Sequence, residues 1–256
     1  MDYNYHTHTS RCRHASGKDE EYILRAIEGG IKYMGFSDHV PLRFSDGHET
    51  GYRVLTKDAE DYINSIRELR EKYKDKIDIK IGFEMEYYPL YFKHMLSYVR
   101  SLGAEYLLLG QHIIYNEWPD GKSSWEPSAE RERLHEYVSC IVSGIESGCF
   151  TYVAHPDIFI FLGEDSVYDE EVSLICRASR KFNIPLEINI QGLREERRYP
   201  FEPFWRIAAR EKSPVTIGLD AHDPIWAYDG DSIAKAKDMI KELGLNYIGK
   251  PEIIPI

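Results

Sequence analysis

The sequence predicts an α/β protein built as a single TIM-like (β/α) barrel of seven strands. Two observations carry this. Strand-like and helix-like segments alternate along all 256 residues, with no internal repeat, linker or low-complexity stretch. Six of the ten histidines (His6, His8, His39, His112, His155 and His222), with Glu84 and Asp220, stand where a predicted strand runs out. Parallel barrel strands bring their C-terminal ends to one mouth, so groups spread from His6 to His222 would meet in a small volume.

Residues 3–5 form a short strand, inferred mainly from the His6-Thr7-His8 motif that it abuts. Ile23, Leu24 and Ile27 give residues 20–28 a helical spacing, ended by Gly29-Gly30. Residues 31–36 are strand-like and stop at Ser37-Asp38-His39, and residues 40–55 hold Pro, Gly and Asp without periodicity, as a loop does. Ala59, Tyr62, Ile63, Ile66 and Leu69 share one face of a helix over 57–74. Residues 77–83 alternate as a strand that delivers Glu84. A helix over 90–102 and a strand over 106–109 lead to Gln111-His112. The aromatic, Gly- and Pro-punctuated residues 115–127 read as a loop able to cover a site. A helix over 129–147 and a strand over 151–154 run into His155, and a helix over 170–182 leads to a strand over 186–190. Residues 191–200 read as an Arg-rich polar loop. A helix over 201–210, a strand over 215–219, a helix over 232–243 and a terminal strand over 245–248 complete the chain.

Hydrophobic residues make up 43% and charged residues 29%, a balance that builds one large core. Residues 1–256 therefore read as one domain, of the length such barrels commonly take. No apolar run approaches the roughly 20 residues of a membrane span. The first ligand candidate is already His6, which leaves no room for a cleaved leader. Cys12, Cys140, Cys149 and Cys176 form neither a CxxC pair nor a disulfide framework, so a reducing cytoplasm is expected. The net charge of -11 argues against a nucleic-acid partner, while bound divalent ions would still admit a small phosphorylated one. Nothing in the pattern specifies an oligomeric state.

Two side chains at i and i+2 leave an extended chain on the same side. His6 with His8, and Asp220 with His222, can thus each clasp an ion, and Glu84 adds a carboxylate able to bridge two. A lone strand-end histidine is more often a hydrogen-bonded loop residue than a ligand. Six strand ends that each carry a ligand-type residue point to a polynuclear centre. His48, His94 and His135 lie away from strand ends and are set aside. No Walker-type phosphate loop, GxGxxG or GxSxG motif is present, which leaves a nucleotide cofactor and a serine nucleophile without support.

The segments HTHTSRCRH at 6–14, SDH at 37–39, GFE at 82–84, GQH at 110–112, AHPD at 154–157, EINIQGLR at 187–194 and GLDAHDP at 218–224 resemble the polymerase and histidinol phosphatase (PHP) family, specifically its histidinol-phosphatase branch. The resemblance covers practically the whole chain in the family's order. It implies a distorted seven-stranded barrel with three divalent ions at its mouth. It places His6, His8, Glu84 and Asp220 on the first ion, Glu84, His112 and His155 on the second, and His14, His39 and His222 on the third. His14, in a loop, is chosen by the resemblance alone.

A ligand set with this many imidazoles suits Zn, Mn or Fe better than Mg. Such a cluster lowers the pKa of a bridging water and binds phosphoryl oxygens, which fits hydrolysis of a phosphate ester. Asp157, two residues beyond His155, is a candidate general acid, with orientation of a ligand histidine as its alternative. Arg194 falls on the family's GLR pattern and is the candidate phosphate-binding arginine, while Arg197 and Arg198 read as a solvated face. Glu86 rivals Glu84 on the same strand face, and the family's GxE pattern favours Glu84; Asp38 and Asp223 flank ligands. The implied substrate is L-histidinol phosphate, hydrolysed to L-histidinol and phosphate in histidine biosynthesis. Glu117, Trp118 and Trp125 would offer its ammonium and imidazole an acidic, aromatic mouth. The alternatives are a PHP-type phosphoesterase for nucleotides or other small phosphate esters, and a metal-dependent binding module without turnover.

Overall fold

A computed structural model describes residues 1–256. Eight parallel strands form one sheet in chain order: β1 (Tyr3–Asn4), β2 (Tyr33–His39), β3 (Asp78–Met85), β4 (Tyr106–Leu109), β7 (Tyr152–Val153), β8 (Leu186–Asn189), β9 (Pro214–Gly218) and β10 (Asn246–Tyr247). The helices α1 (Asp19–Glu28), α2 (Ala59–Tyr73), α3 (Phe92–Leu102), α4 (Arg131–Glu146), α5 (Asp165–Phe182), α7 (Glu202–Glu211) and α8 (Gly230–Leu243) connect them, with a short α6 (Ile190–Arg194) directly after β8. At the mouth the chain just beyond β1 closes the ring. Ser37 N–H donates to the Thr7 carbonyl (2.8 Å), and His8 N–H donates to the Ala221 carbonyl (2.9 Å). At the base, β10 lies beside β9, and the Tyr247 and Tyr3 hydroxyls meet at 3.1 Å. The result is seven main strands with a two-residue eighth at the base of the seam. No helix is long and apolar enough to cross a membrane.

Side-chain alternation divides each strand between two environments. In β3, Ile81, Phe83 and Met85 join the large apolar core shared with the helices, and Gly82, Glu84 and Glu86 take the other face. In β8, Leu186 and Ile188 enter that core, while Glu187 and Asn189 do not. Val215, Ile217 and Leu219 do the same along β9, opposite Thr216, Gly218 and Asp220. A second, smaller cluster of Tyr5, Tyr106, Leu108 and Tyr152 fills the lower interior, and Tyr106 donates to the Tyr5 carbonyl (2.7 Å). The barrel interior is thus aromatic below and ionisable above.

Four expectations differ in detail. β2 and β3 run on through His39 and Met85, so Ser37, Asp38, His39 and Glu84 lie within strands, and His39 pairs in register with Glu84. α5 begins at Asp165, because Tyr168 and Val172 bury an apolar stripe that the neighbouring Asp169, Glu170 and Glu171 obscure. Ile190–Arg194 is helical, in place of a strand end and the first part of a loop. The Asn189 side chain accepts from Gly192 N–H (3.1 Å) and caps a segment too short to show periodicity. The 115–127 region carries a small hairpin, β5 (Ile113–Ile114) with β6 (Lys122–Ser123).

Candidate metal centre

The two oxygens of Glu84 divide the site. Oε2 lies 3.5 Å from His6 Nε2, 3.5 Å from His8 Nε2 and 3.2 Å from His39 Nδ1. Oε1 lies 3.4 Å from His112 Nε2 and 2.9 Å from His155 Nε2. Asp220 Oδ1 faces the same two histidines from the far side of the seam, 3.4 Å from His6 Nε2 and 3.3 Å from His8 Nε2. His14 and His222 meet through their Nε2 atoms at 2.9 Å, and His39 completes a group with them. All nine residues named from the sequence are therefore in one cluster. The short separations leave their donor atoms close enough to share ions in overlapping sets. Cys12, which is not among the nine, is buried beside His8 and His222 and belongs to one such set.

The donors fit divalent ions on the structure's own terms. His6 Nε2, His8 Nε2, His39 Nδ1, Glu84 Oε1 and Asp220 Oδ1 are buried without a hydrogen-bond partner. Polar atoms left in that condition are costly unless something binds them. Two glycines shape the cradle. A Cβ on Gly110 would lie 1.8 Å from Glu84 Oε1, and one on Gly218 would lie 1.7 Å from Glu187 Oε1. His155 and Asp220 hold positive φ, 31° and 49°, the kind of backbone strain that clusters at functional sites. Burial opposes ionisation of Glu84, yet the imidazoles of His112, His39 and His6 hold its carboxyl well below the usual range. Asp220 is held down in the same way by His6, His222 and His8.

Carboxylates behind the cluster orient the rings. His6 Nδ1 donates to Glu187 Oε1 (2.8 Å), and His112 Nδ1 donates to Glu86 Oε1 (2.9 Å). In each pair the carboxylate only accepts, so the ring proton sits on Nδ1 and Nε2 is left to face Glu84. Glu86 is thereby placed behind a histidine rather than at the centre. Asp38 accepts from Thr9 N–H (2.9 Å) and lies 3.5 Å from His8 Nδ1. Asp223 caps the turn at Pro224 by accepting from Ile225 N–H (3.0 Å). Glu187 escaped the sequence reading; it lies within its strand, as Glu84 does, on the face turned to the cluster.

Above the cluster lies a cavity of about 260 Å³, walled by Tyr52, Ile113, Trp125, Gln191, Arg197 and Tyr199. Arg197, read from the sequence as solvated, stands in this wall and donates to the Tyr199 hydroxyl (3.1 Å). Arg194 packs its guanidinium over the Trp226 ring (4.4 Å), with Nε and Nη1 buried and unpartnered. Asp157 is buried as well. Its Oδ2 accepts from Phe201 N–H (2.6 Å) and Trp205 Nε1–H (2.8 Å), its Oδ1 has no partner, and burial lifts its pKa to about 6. Glu117 is not a mouth residue, because it is buried against Arg53. Trp118 instead stacks on His48 at 3.7 Å between ring centroids.

The model of the PHP domain family matches residues 4–191. A probable histidinol-phosphatase of Deinococcus radiodurans is 24% identical over 93% of this chain and 91% of its own. A histidinol-phosphatase of Lactococcus lactis is 25% identical over 96% of this chain and 92% of its own. Among solved structures, the histidinol phosphate phosphatase of Lactococcus lactis, complexed with zinc, L-histidinol and phosphate, superposes with a TM-score of 0.72 at 20% identity, covering 96% of this chain and 95% of that one.

Proposed function

The chain belongs to the PHP domain family, and from that premise we propose that it is a metal-dependent phosphomonoesterase that hydrolyses L-histidinol phosphate to L-histidinol and phosphate. The observation that carries the reading is the placement of Glu84, one oxygen toward His6, His8 and His39 and the other toward His112 and His155. The names of the full-length relatives supply the substrate. We assign residues 1–256 to one phosphoesterase domain, since Asp220 and His222, beyond the matched segment, complete the cluster. We assign the reaction to the cytoplasm, whose reducing conditions suit four free cysteines.

We assign three divalent ions to the nine residues: His6, His8, Glu84 and Asp220 for the first, Glu84, His112 and His155 for the second, and His14, His39 and His222 for the third. Zinc is the metal in the Lactococcus enzyme. The seven imidazoles here suit zinc, manganese or iron. When bound, such ions activate water and neutralise charge on phosphoryl oxygens. The chain's own groups do the rest. Arg194, with two unpartnered guanidinium nitrogens, serves the phosphate, and Arg197 lines the cavity above the cluster. Asp157 is the proton donor to the departing alkoxide. Its Oδ2 is held by Phe201 and Trp205, so the proton sits on the free Oδ1. Tyr52, Trp125 and Tyr199 give the ammonium and imidazole of the substrate an aromatic wall.

The test is steady-state phosphate release from L-histidinol phosphate beside nucleotides, sugar phosphates and p-nitrophenyl phosphate, on enzyme of measured metal content. A kcat/KM for histidinol phosphate far above the panel, lost on chelation, is expected. Even turnover across the panel would keep the chemistry and reject the substrate.

A further inference from the structure

Arg53 is buried to 1% exposure in a segment that the sequence presents as an unpatterned loop. Its guanidinium reaches three parts of the chain at once. Nε donates to Glu117 Oε1 (2.9 Å), Nη2 donates to Glu86 Oε2 (2.6 Å), and Nη1 donates to the Val40 carbonyl (3.1 Å). Glu117 also accepts from Thr50 Oγ1 (2.6 Å), Tyr88 OH (3.1 Å) and the Tyr52 hydroxyl. The other oxygen of Glu86 receives His112 Nδ1–H (2.9 Å). One cation thus sits between two buried carboxylates, one in the 115–127 segment and one behind a histidine of the cluster. Tyr52, whose ring lies 4.9 Å from the guanidinium carbon, is also a wall of the cavity.

We propose that Arg53 is a positioning residue for the reaction: it fixes Glu86, and through Glu86 the ring of His112, while its hold on Glu117 and Tyr52 sets the cavity wall to the same reference point. The proposal rests on the metal-ligand role assigned to His112. Only the planar fork of arginine can address Glu86, Glu117 and a backbone carbonyl together. A lysine is a single point charge, and its one nitrogen cannot hold both carboxylates in the geometry that the guanidinium fork sets. Glu86 then loses its orientation, and His112 loses the partner that keeps its proton on Nδ1.

The experiment uses Arg53→Lys, which retains charge and most of the volume, and Glu86→Gln, alone and combined. Zinc affinity and ions retained per chain are measured by chelator competition and elemental analysis, on protein whose near-UV circular dichroism matches the parent. Arg53→Lys is expected to weaken one ion by roughly 10–100-fold, the range of outer ligand partners, and to leave the others in place. In the Glu86→Gln background the same substitution should add less than about threefold, because the path runs through Glu86. For histidinol phosphate, KM should rise along with the fall in kcat, from the loosened Tyr52 wall. Should Arg53→Lys fail to fold, Arg53→Ala with and without millimolar guanidinium replaces it, and restored affinity is then the expected result. Unchanged ion affinity in folded variants, or losses fully additive with Glu86→Gln, would overturn the proposal. Since metal binding is read without substrate, a parent enzyme inactive on histidinol phosphate would refute the proposed function and leave this inference standing.

Discussion

Replacing Glu187 by glutamine changes one atom in a place where each oxygen has a separate task. Oε1 accepts from His6 Nδ1, and Oε2 accepts from His155 N–H (3.0 Å) and Asn189 Nδ2 (2.9 Å). The new amide nitrogen must occupy one of the two positions. At the Oε2 position it would leave two buried donors facing a donor, at about 1–3 kcal/mol each. At the Oε1 position only His6 is affected, and His6 can respond by moving its proton from Nδ1 to Nε2. The second arrangement wins, and it makes a distinct signature. The hydrogen bond is restored, so the metal-free protein should lose less than about 1 kcal/mol, a shift of roughly 2–4 °C in Tm. Nε2, now carrying a proton, can no longer offer its lone pair toward Glu84 and Asp220, and ion affinity should fall by roughly 10–100-fold. Chelator competition and scanning calorimetry on metal-free and zinc-loaded protein read the two quantities separately. Unchanged affinity in the variant, or a drop of 5 °C or more in the metal-free Tm at constant affinity, would refute the reasoning.

Gly110→Ala puts a Cβ 1.8 Å from Glu84 Oε1, so Glu84 or the backbone has to move; overpacking of this kind costs about 1–3 kcal/mol, roughly 2–12 °C of Tm, and calorimetry should show a further loss in the zinc-induced stabilisation. Glu117 is buried, yet the charge and hydrogen bonds of Arg53 hold its pKa at about 2, below the unfolded value near 4.5. Its contribution to stability is therefore fully present above pH 4.5 and lost as pH falls toward 2. Glu117→Gln should flatten that part of the Tm–pH curve, and parallel curves for parent and variant would contradict it. Removing ions with a chelator should abolish phosphate release and speed amide exchange at His8 and Ala221, the mouth side of the seam, with both reversed by zinc; exchange unchanged on chelation would separate the cluster from the seam.

The cluster was legible because its residues obey a short-range rule. His6 and His8, or Asp220 and His222, are two apart and stand where apolar alternation ends, and a barrel converts that pattern into proximity without further information. His14 obeys no such rule and needed the family resemblance; the structure brings it to His222. Glu187 was missed because Leu186-Glu187-Ile188-Asn189 also reads as a strand with a solvated face, and nothing in four residues says that the polar face is the closed one. Arg53 and Glu117 were out of reach for a different reason. Each lies in a segment without periodicity, and their meaning is a pair 64 residues apart. Arg197 is exposed, as a run of arginines suggests, but the run gives no sign that this one also borders the cavity.

The seam explains why the two ends of the chain carry so much of the site. Between the β1 extension and the chain after β9, the mouth is joined by two backbone hydrogen bonds, His8 N–H to the Ala221 carbonyl at 2.9 Å and Ala221 N–H to the His6 carbonyl at 3.4 Å. Asn4 Oδ1, which accepts from Leu219 N–H (3.0 Å), and Tyr3 OH, beside Thr216 Oγ1 (2.9 Å), add side-chain links below. The ladders of the ring vary, from the seven registered pairs of β2 with β3 to the single pair of β7 with β8. The seam is a short joint, and it is the one whose two sides are the first and last main units of the barrel. His6 and His8 on one side and Asp220 on the other converge there with their free atoms 3.3–3.4 Å apart. An ion held by those three would clip a loop of more than 200 residues, the situation in which a cross-link removes the most entropy from the unfolded chain. Catalytic metal and barrel closure would then be one and the same contact, which gives a physical reason for a short first strand to be followed at once by two ligands.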